Sequence, residues 1–278
     1  MQVLSVDYKA KNAQELFCLS LRETGFAVLN NHPIPQDLIH KAHQEWRNFF
    51  LSDDKHNYLY QKPSQDGYFP FRTENAKDRK ISDLKEFFHY YPWGKVPTEM
   101  RDISHFMFEN LKKLAAELLQ WIEVALPDAL RKNLAMPLKN MIDDSPNTLL
   151  RILHYPPLID SYEDGAVRAA PHEDINLLTL LPASTAPGLE VKDLMGNWHA
   201  VDCNPDSIAV NVGDMLQVCT ENYYKSTTHR VVNPDSTTSN TSRMSMPLFL
   251  HANGEVRISK TQTASEYLHE RLRQIGIY

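Results

Sequence analysis

Pro171-His172-Glu173-Asp174-Ile175-Asn176-Leu177-Leu178-Thr179-Leu180-Leu181 places an imidazole and a carboxylate two residues apart, in a run that otherwise reads as a β-strand. Residues i and i+2 of an extended chain point to the same face, so His172 and Asp174 aim at one point while Glu173 points away. Joined by a distant His, such a pair makes the facial set of two His and one carboxylate that leaves positions open on iron(II). Alone the pair is weak evidence. With twelve His in the chain, about one His-x-acid pair arises by chance. His43-Gln44-Glu45 is the plain counterpart: it lies in a segment of helical period, where i and i+2 do not face each other, and His43 and Glu45 read as surface residues.

Lys225-Ser226-Thr227-Thr228-His229-Arg230-Val231 supplies a candidate third ligand, His229, downstream of Gly213-Asp214, which reads as a turn between two apolar strands. A later strand carries Arg243-Met244-Ser245, with Arg243 and Ser245 on one face. Each has an ordinary reading: His229 a satisfied buried His, Arg243 a surface ion-pair residue, Ser245 a hydroxyl in a barrel wall. Taken singly, those readings are the commoner ones. The order His-x-Asp, His, Arg-x-Ser makes coincidence a poor account of all of them together.

The chain resembles the iron(II)/2-oxoglutarate-dependent oxygenases of the isopenicillin N synthase-like (iron/ascorbate oxidoreductase) family. The resemblance rests on His172-Glu173-Asp174, on Asn222-Tyr223-Tyr224-Lys225-Ser226-Thr227-Thr228-His229-Arg230-Val231, and on Arg243-Met244-Ser245-Met246-Pro247-Leu248-Phe249. Gly188-Leu189-Glu190-Val191, Pro205 to Asp214 and the opening Gly25 to Pro35 add to it, so it touches most of the chain and is densest over 149–251. It implies a mainly β fold with flanking helices, a double-stranded β-helix or jelly roll of the cupin kind, whose two sheets enclose the metal. Carried over, it makes His172, Asp174 and His229 the iron ligands and gives Arg243 and Ser245 the distal carboxylate of 2-oxoglutarate, assisted by Tyr155. Arg suits that task because its planar fork pairs with a carboxylate and stays charged in a closed pocket. Many relatives have Asn where this chain has Leu153, which removes one polar contact to the cosubstrate. The stretch from Ser236 to Thr241 reads as an extended surface turn.

The implied chemistry is oxidative decarboxylation of 2-oxoglutarate with dioxygen to succinate and carbon dioxide, coupled to oxidation of a substrate C–H bond. Hydroxylation is the expected outcome; desaturation and ring closure share the same centre. Ascorbate is the optional reductant. Two other readings stay open: an iron oxidase of this fold without 2-oxoglutarate, and a non-catalytic metal-binding jelly roll. A zinc hydrolase fits less well, having no use for Arg-x-Ser. Phe69, Phe71, Arg72, Phe87 and Arg168 are the candidate substrate contacts.

These residues need elements to hold them. Asn12–Thr24 and Pro35–Phe50 have helical spacing, with Gly25 as a stop after the first and Phe26–Leu29 as a strand between them. Residues 51–100 are irregular and aromatic-rich, either edge strand and loop over a core or the wall of a substrate pocket. A helix is expected over about 102–126 and a connector over 127–148. Short strands follow at 149–155, 175–181, 189–192, 198–201, 208–212, 216–220, 230–232, 244–250 and 256–258, the pattern of a sandwich or barrel. Thr263-Ala264-Ser265-Glu266 then reads as a capping box for a last helix carrying Leu268, Leu272 and Ile275. The expected organisation is a support region over 1–147, a catalytic β core over 148–260 and a C-terminal helix over 261–278, all of one unit.

Composition is ordinary, 42% hydrophobic and 23% charged. A net charge of -6 argues against general affinity for nucleic acid or an anionic membrane. Cys18, Cys203 and Cys219 are odd in number and unpaired in spacing, as in a reducing compartment, and read as buried or half-buried residues. The N-terminal residues show no signal peptide pattern and no apolar run reaches membrane-span length. The expectation is a cytoplasmic enzyme of a small-molecule substrate, with no nucleic-acid or membrane partner, monomeric or weakly homo-oligomeric.

Overall fold

Alternation along a few strands builds both the core and the site. In the computed structural model, which describes residues 1–62, 64–74, 81–158, 162–202, 204–235 and 240–274, strands β1 (Ser5–Asp7), β2 (Phe26–Asn30), β3 (Gly67–Phe69), β4 (Glu86–Tyr90), β5 (Leu149–Tyr155), β7 (Leu178–Pro182), β10 (Ile208–Val212), β12 (Arg243–Ser245) and β13 (Leu248–Leu250) form one sheet. Its order is β1-β2-β10-β7-β13-β5-β4-β3, with β12 on the other half of β5, and only β1–β2 is parallel among these pairs. A second sheet has the order β6 (Ala169–His172), β11 (His229–Val231), β8 (Leu189–Lys192), β9 (Trp198–Ala200). The sheets meet through Phe26, Val28 and Ala209 of the larger and Leu189 and Val191 of the smaller. This is the expected jelly roll, mainly β with flanking helices.

The opposite face of the large sheet is covered by α1 (Ala13–Thr24), α2 (Gln36–Leu51) and α3 (Thr98–Ala125). Leu178 and Leu180, Ile208 and Val210, Leu150 and Ile152, Met244 and Leu248 all enter that helix-side core. The period of 2 therefore turns Thr179, Asn211, Arg151, Leu153, Tyr155, Arg243, Ser245 and Phe249 toward the inside of the roll. Strands β1 to β4 come from the first 147 residues, so the support region contributes to the catalytic sheet itself. Short helices α4 (Asp128–Asn133) and α5 (Asp214–Cys219) and the C-terminal α6 (Ala264–Gln274) complete the chain.

Five expectations are corrected. The run 171–181 is not one strand. His172 ends β6 in the small sheet and β7 starts at Leu178 in the large one. The turn between them is pinned by Asp214 N–H to Asp174 O (2.7 Å), Met215 N–H to Asn176 O (3.0 Å) and Gly213 N–H to Leu177 O (3.0 Å). A Cβ on Gly213 would collide with Asn176, so only glycine lets the two segments approach this closely. Residues 216–220 are not a strand but belong to α5 and its end, because Met215, Leu216 and Cys219 bury a helical face. The run 244–250 is broken in two at Met246-Pro247, where Pro lacks the ladder donor. Over 256–258 there is only an isolated bridge, Arg257–Thr263. His43 is buried, on the Ile39–Ala42–Trp46 stripe of α2, and burial holds its pKa down at about 4. Its ordinary surface reading overlooked that i+4 from Ile39 is the same face.

Gly25 takes the left-handed conformation (φ 74°) that ends α1, as expected. The Thr263–Glu266 capping box forms in both directions, Thr263 N–H to Glu266 Oε2 at 2.8 Å and Glu266 N–H to Thr263 Oγ1 at 3.3 Å. Cys18 and Cys219 are buried and free. Cys203, Ile275 and positions 236–239 of the expected surface turn lie outside the described residues; Asn240 and Thr241 are exposed. Among the described residues, no helix is long and apolar enough to cross a membrane.

Candidate active site

The end of β6, the turn after it and the start of β11 bring His172, Asp174 and His229 to one place. Register does part of this, because His172 and His229 are directly paired across β6–β11. Their rings lie 4.4 Å apart. The ligand atoms of all three residues fall within 4.8 Å of one another, forming the one such group among the described residues.

Hydrogen bonds fix which atoms face inward. His172 Nδ1 donates to Ala170 O (2.7 Å) and His229 Nδ1 to Thr227 O (3.1 Å), which leaves both Nε2 lone pairs pointing to the centre. Asp174 Oδ2 accepts from Thr179 Oγ1 (2.5 Å) and Asn211 Nδ2 (2.8 Å). Its Oδ1 lies 3.8 Å from each Nε2. Burial would raise the Asp174 carboxyl, but the two imidazoles and these two donors hold it below its ordinary value. Burial and the neighbouring His229 lower His172, favouring the neutral ring. Two imidazole nitrogens and one carboxylate oxygen, each with its other polar atom already used, are the donor set expected of a divalent metal site.

Sequence reasoning missed Thr179 and Asn211. The signal was available: each is a polar residue at an inward position of an apolar strand, and the two are register partners.

A second group lies along β12 and β5. Arg243 faces Tyr155 across the ladder and Ser245 faces Leu153. Arg243 is 1% exposed, so the surface ion-pair reading is wrong. Its Nε donates to Ala186 O (2.9 Å) and Nη2 to Ser184 Oγ (2.8 Å), and its guanidinium carbon is 5.0 Å from the Tyr155 ring centroid. Ser184 Oγ is 3.4 Å from Ser245 Oγ. Arg243, Ser245 and Tyr155 thus form one neighbourhood of buried polar groups.

A cleft of about 950 Å³ opens onto His172 and Asp174. From the aromatic-rich segment it takes Gln65, Lys85, His89, Tyr91 and Trp93, and α6 closes one side with Leu268 and Leu272. Phe69, Phe71, Arg72, Phe87 and Arg168 are not among its lining residues. Phe69 and Phe87 stack on each other (4.5 Å) in a small core with Leu153 and Tyr155. Arg72 pairs with Glu163 at the surface, Phe71 neighbours Tyr162, and Arg168 is buried with a bond from Nη2 to Thr241 O (2.9 Å). Pairing of β3 with β4 and of β4 with β5 puts Phe69 and Phe87 on the same inner face as His89, Arg151 and Leu153.

Two family profiles match this architecture: the 2OG-Fe(II) oxygenase superfamily over residues 146–252, and the N-terminal region of the non-haem dioxygenases in morphine synthesis over 5–110. A provisionally named oxygenase from Shewanella oneidensis, known from its crystal structure, is 44% identical with all of both chains covered and a TM-score of 0.91. The chain belongs to the 2OG-Fe(II) oxygenase superfamily. Within it, the chain is 28% identical to a flavonol synthase/flavanone 3-hydroxylase of Eustoma exaltatum subsp. russellianum, over 82% of this chain and 69% of that protein. It is likewise 28% identical to the proline hydroxylase buaE of Petromyces alliaceus, over 99% of both. The oxygenase is therefore an iron(II)- and 2-oxoglutarate-dependent oxidoreductase of the iron/ascorbate type, acting on a small molecule.

Proposed function

We propose that this oxygenase hydroxylates a C–H bond of a small molecule, with His172, Asp174 and His229 as its iron ligands and Arg243, Ser245 and Tyr155 as its 2-oxoglutarate contacts. The observation that carries the reading is the state of Asp174. Two donors engage Oδ2, while Oδ1 and two Nε2 atoms converge with no other partner among the described residues. Iron bound there supplies the activation of dioxygen and the decarboxylation of 2-oxoglutarate that together oxidise the substrate.

The chain's own residues bind, orient and exclude water. Thr179 and Asn211 fix the Asp174 carboxylate so that one oxygen faces the metal position. Backbone carbonyls of Ala170 and Thr227 keep both imidazoles in the tautomer that offers Nε2. Arg243, buried and always charged, supplies the cation that a dianionic cosubstrate needs at its far end. Phe26, whose ring lies 5.4 Å from His229, shields the centre from the side of the large sheet. The net charge of -6 supports the absence of a nucleic-acid partner, and the buried free cysteines Cys18 and Cys219 support a cytoplasmic protein.

The test is a mass balance. Protein with iron(II), 2-oxoglutarate and air should form succinate and carbon dioxide, and the His229→Ala protein should not. Oxygen uptake with no succinate would instead favour an iron oxidase that does not use 2-oxoglutarate.

A further inference from the structure

Arg168 immediately precedes β6, and the alternation that sets Ala170 beside His172 puts it on the same inner face. It is 2% exposed. Its guanidinium carbon lies 6.0 Å from the Tyr155 ring centroid, and that of Arg243 lies 5.0 Å from the same ring. Two buried guanidiniums therefore meet at one aromatic side chain. They do so in the polar neighbourhood of Arg243, Ser245 and Tyr155, apart from the open cleft.

No acid balances Arg168 among the described residues. The carboxylates of the flanking segments are committed: Asp83 to Lys85 and the Ala170 N–H, Glu86 to Lys55 and His154, and Glu163 to Arg72. Burial and the charge of Arg243 lower the Arg168 pKa, yet a guanidinium stays charged even so. Like charges held together in a buried site oppose one another until an anion arrives.

A purely structural role accounts for part of this. Nη2 donates to Thr241 O at 2.9 Å, tying the start of β6 to the segment that leads into β12. A neutral amide would serve that carbonyl as well, so the bond does not explain a full buried charge. Nor does it use the other donors. Nε is buried without a hydrogen-bond partner, whereas Nη1, which makes no hydrogen bond among the described residues, is not sealed in as Nε is. The dianion this site has to hold is the cosubstrate, and its far carboxylate belongs beside Arg243 and Tyr155.

We propose that Arg168 is a second cation of the cosubstrate pocket, joining Arg243 on the far carboxylate of 2-oxoglutarate through Nη1 and making the pocket selective for 2-oxo acids that carry one. This rests on the iron and 2-oxoglutarate reading of the site. The experiment titrates the anaerobic iron(II) forms of the parent, Arg168→Gln and Arg168→Lys with 2-oxoglutarate and with 2-oxopentanoate, following the metal-to-ligand absorption band. 2-Oxopentanoate has the same chelating end and chain length but no far carboxylate. Arg168→Gln keeps a donor for Thr241 O and loses the charge. Its dissociation constant for 2-oxoglutarate should rise tenfold or more, while that for 2-oxopentanoate changes less than threefold and iron(II) affinity stays at the parent's. Arg168→Lys restores the charge and should bind 2-oxoglutarate more tightly than Arg168→Gln, a comparison that decides alone if 2-oxopentanoate binds too weakly to titrate. The proposal is overturned if Arg168→Gln binds 2-oxoglutarate like the parent, if both 2-oxo acids weaken equally, or if Arg168→Lys is no better than Arg168→Gln. Failure of the underlying reading looks different: the parent itself would then form no 2-oxoglutarate complex.

Discussion

Two polar clusters meet at the same cleft, and they are built on opposite plans. Glu74, Asp83, Lys85 and Arg151 pair with one another until their charges cancel. His172, Asp174 and His229 bring two nitrogens and a carboxylate oxygen to a point and spend every other polar atom on orienting them. A self-balanced cluster stiffens a wall. An unbalanced one is completed only by an ion. Substitutions should therefore act on stability in the first and on metal affinity in the second.

Asp174→Ala should have the largest effect, a loss of roughly a thousandfold in iron(II) affinity by anaerobic titration, equivalent to about 4 kcal/mol. Its thermal midpoint without metal should fall less than that of Lys85→Met, because it strands two hydrogen-bond donors but no charged partner. Lys85→Met should do the reverse. Leaving Glu74 and Asp83 without their ammonium should cost about 3–5 kcal/mol in urea unfolding, with iron(II) affinity close to the parent's. A drop in metal affinity as large as that of Asp174→Ala would erase the distinction between the clusters.

Smaller effects sharpen it. Asn211→Leu removes one of the two donors on Asp174 Oδ2 and should weaken iron(II) binding about 10–100-fold. Parent-like affinity would mean that Thr179 alone orients the carboxylate. The smallest expected effect is in pH. The folded Glu74 carboxyl lies below its ordinary 4.5, so its stabilisation is full above that value and is lost as pH falls through the folded pKa. Lys85 lies above its ordinary 10.5, so its share is full below that value and is lost as pH rises through the folded pKa. The stability gap between parent and Lys85→Met should therefore be widest between about pH 5 and pH 10 and narrow in stronger acid. A gap that widens on acidification would contradict the pairing.

What the sequence disclosed followed a physical divide. Strands 149–155, 189–192 and 208–212 were legible because alternation and β-branched residues mark them, and both long N-terminal helices because of their apolar stripe. The turn after His172 was not. Its conformation is set by Gly213 and Asp214 pressing against it from nearly forty positions away, and no local pattern records that contact. The residues of the triad were readable by type and spacing, although the assumed single strand was the wrong reason for their convergence. The balanced cluster was invisible for a related cause: Glu74, Lys85 and Arg151 come from a loop, the residue before β4 and the distant strand β5, and the β4–β5 pairing brings the last two together.

The most direct test of the central claim is a 2-oxoglutarate titration of the anaerobic iron(II) protein, followed by its metal-to-ligand absorption band. The parent should bind and develop the band. Arg243→Met, which keeps the length and apolar stem but removes the charge, should lose about 2–5 kcal/mol of cosubstrate binding, roughly thirtyfold to several-thousandfold in affinity, with iron(II) binding nearly untouched. Parent-like binding of 2-oxoglutarate by Arg243→Met, or no band in the parent, would contradict the assignment of Arg243 and with it the account of how this site uses its cosubstrate.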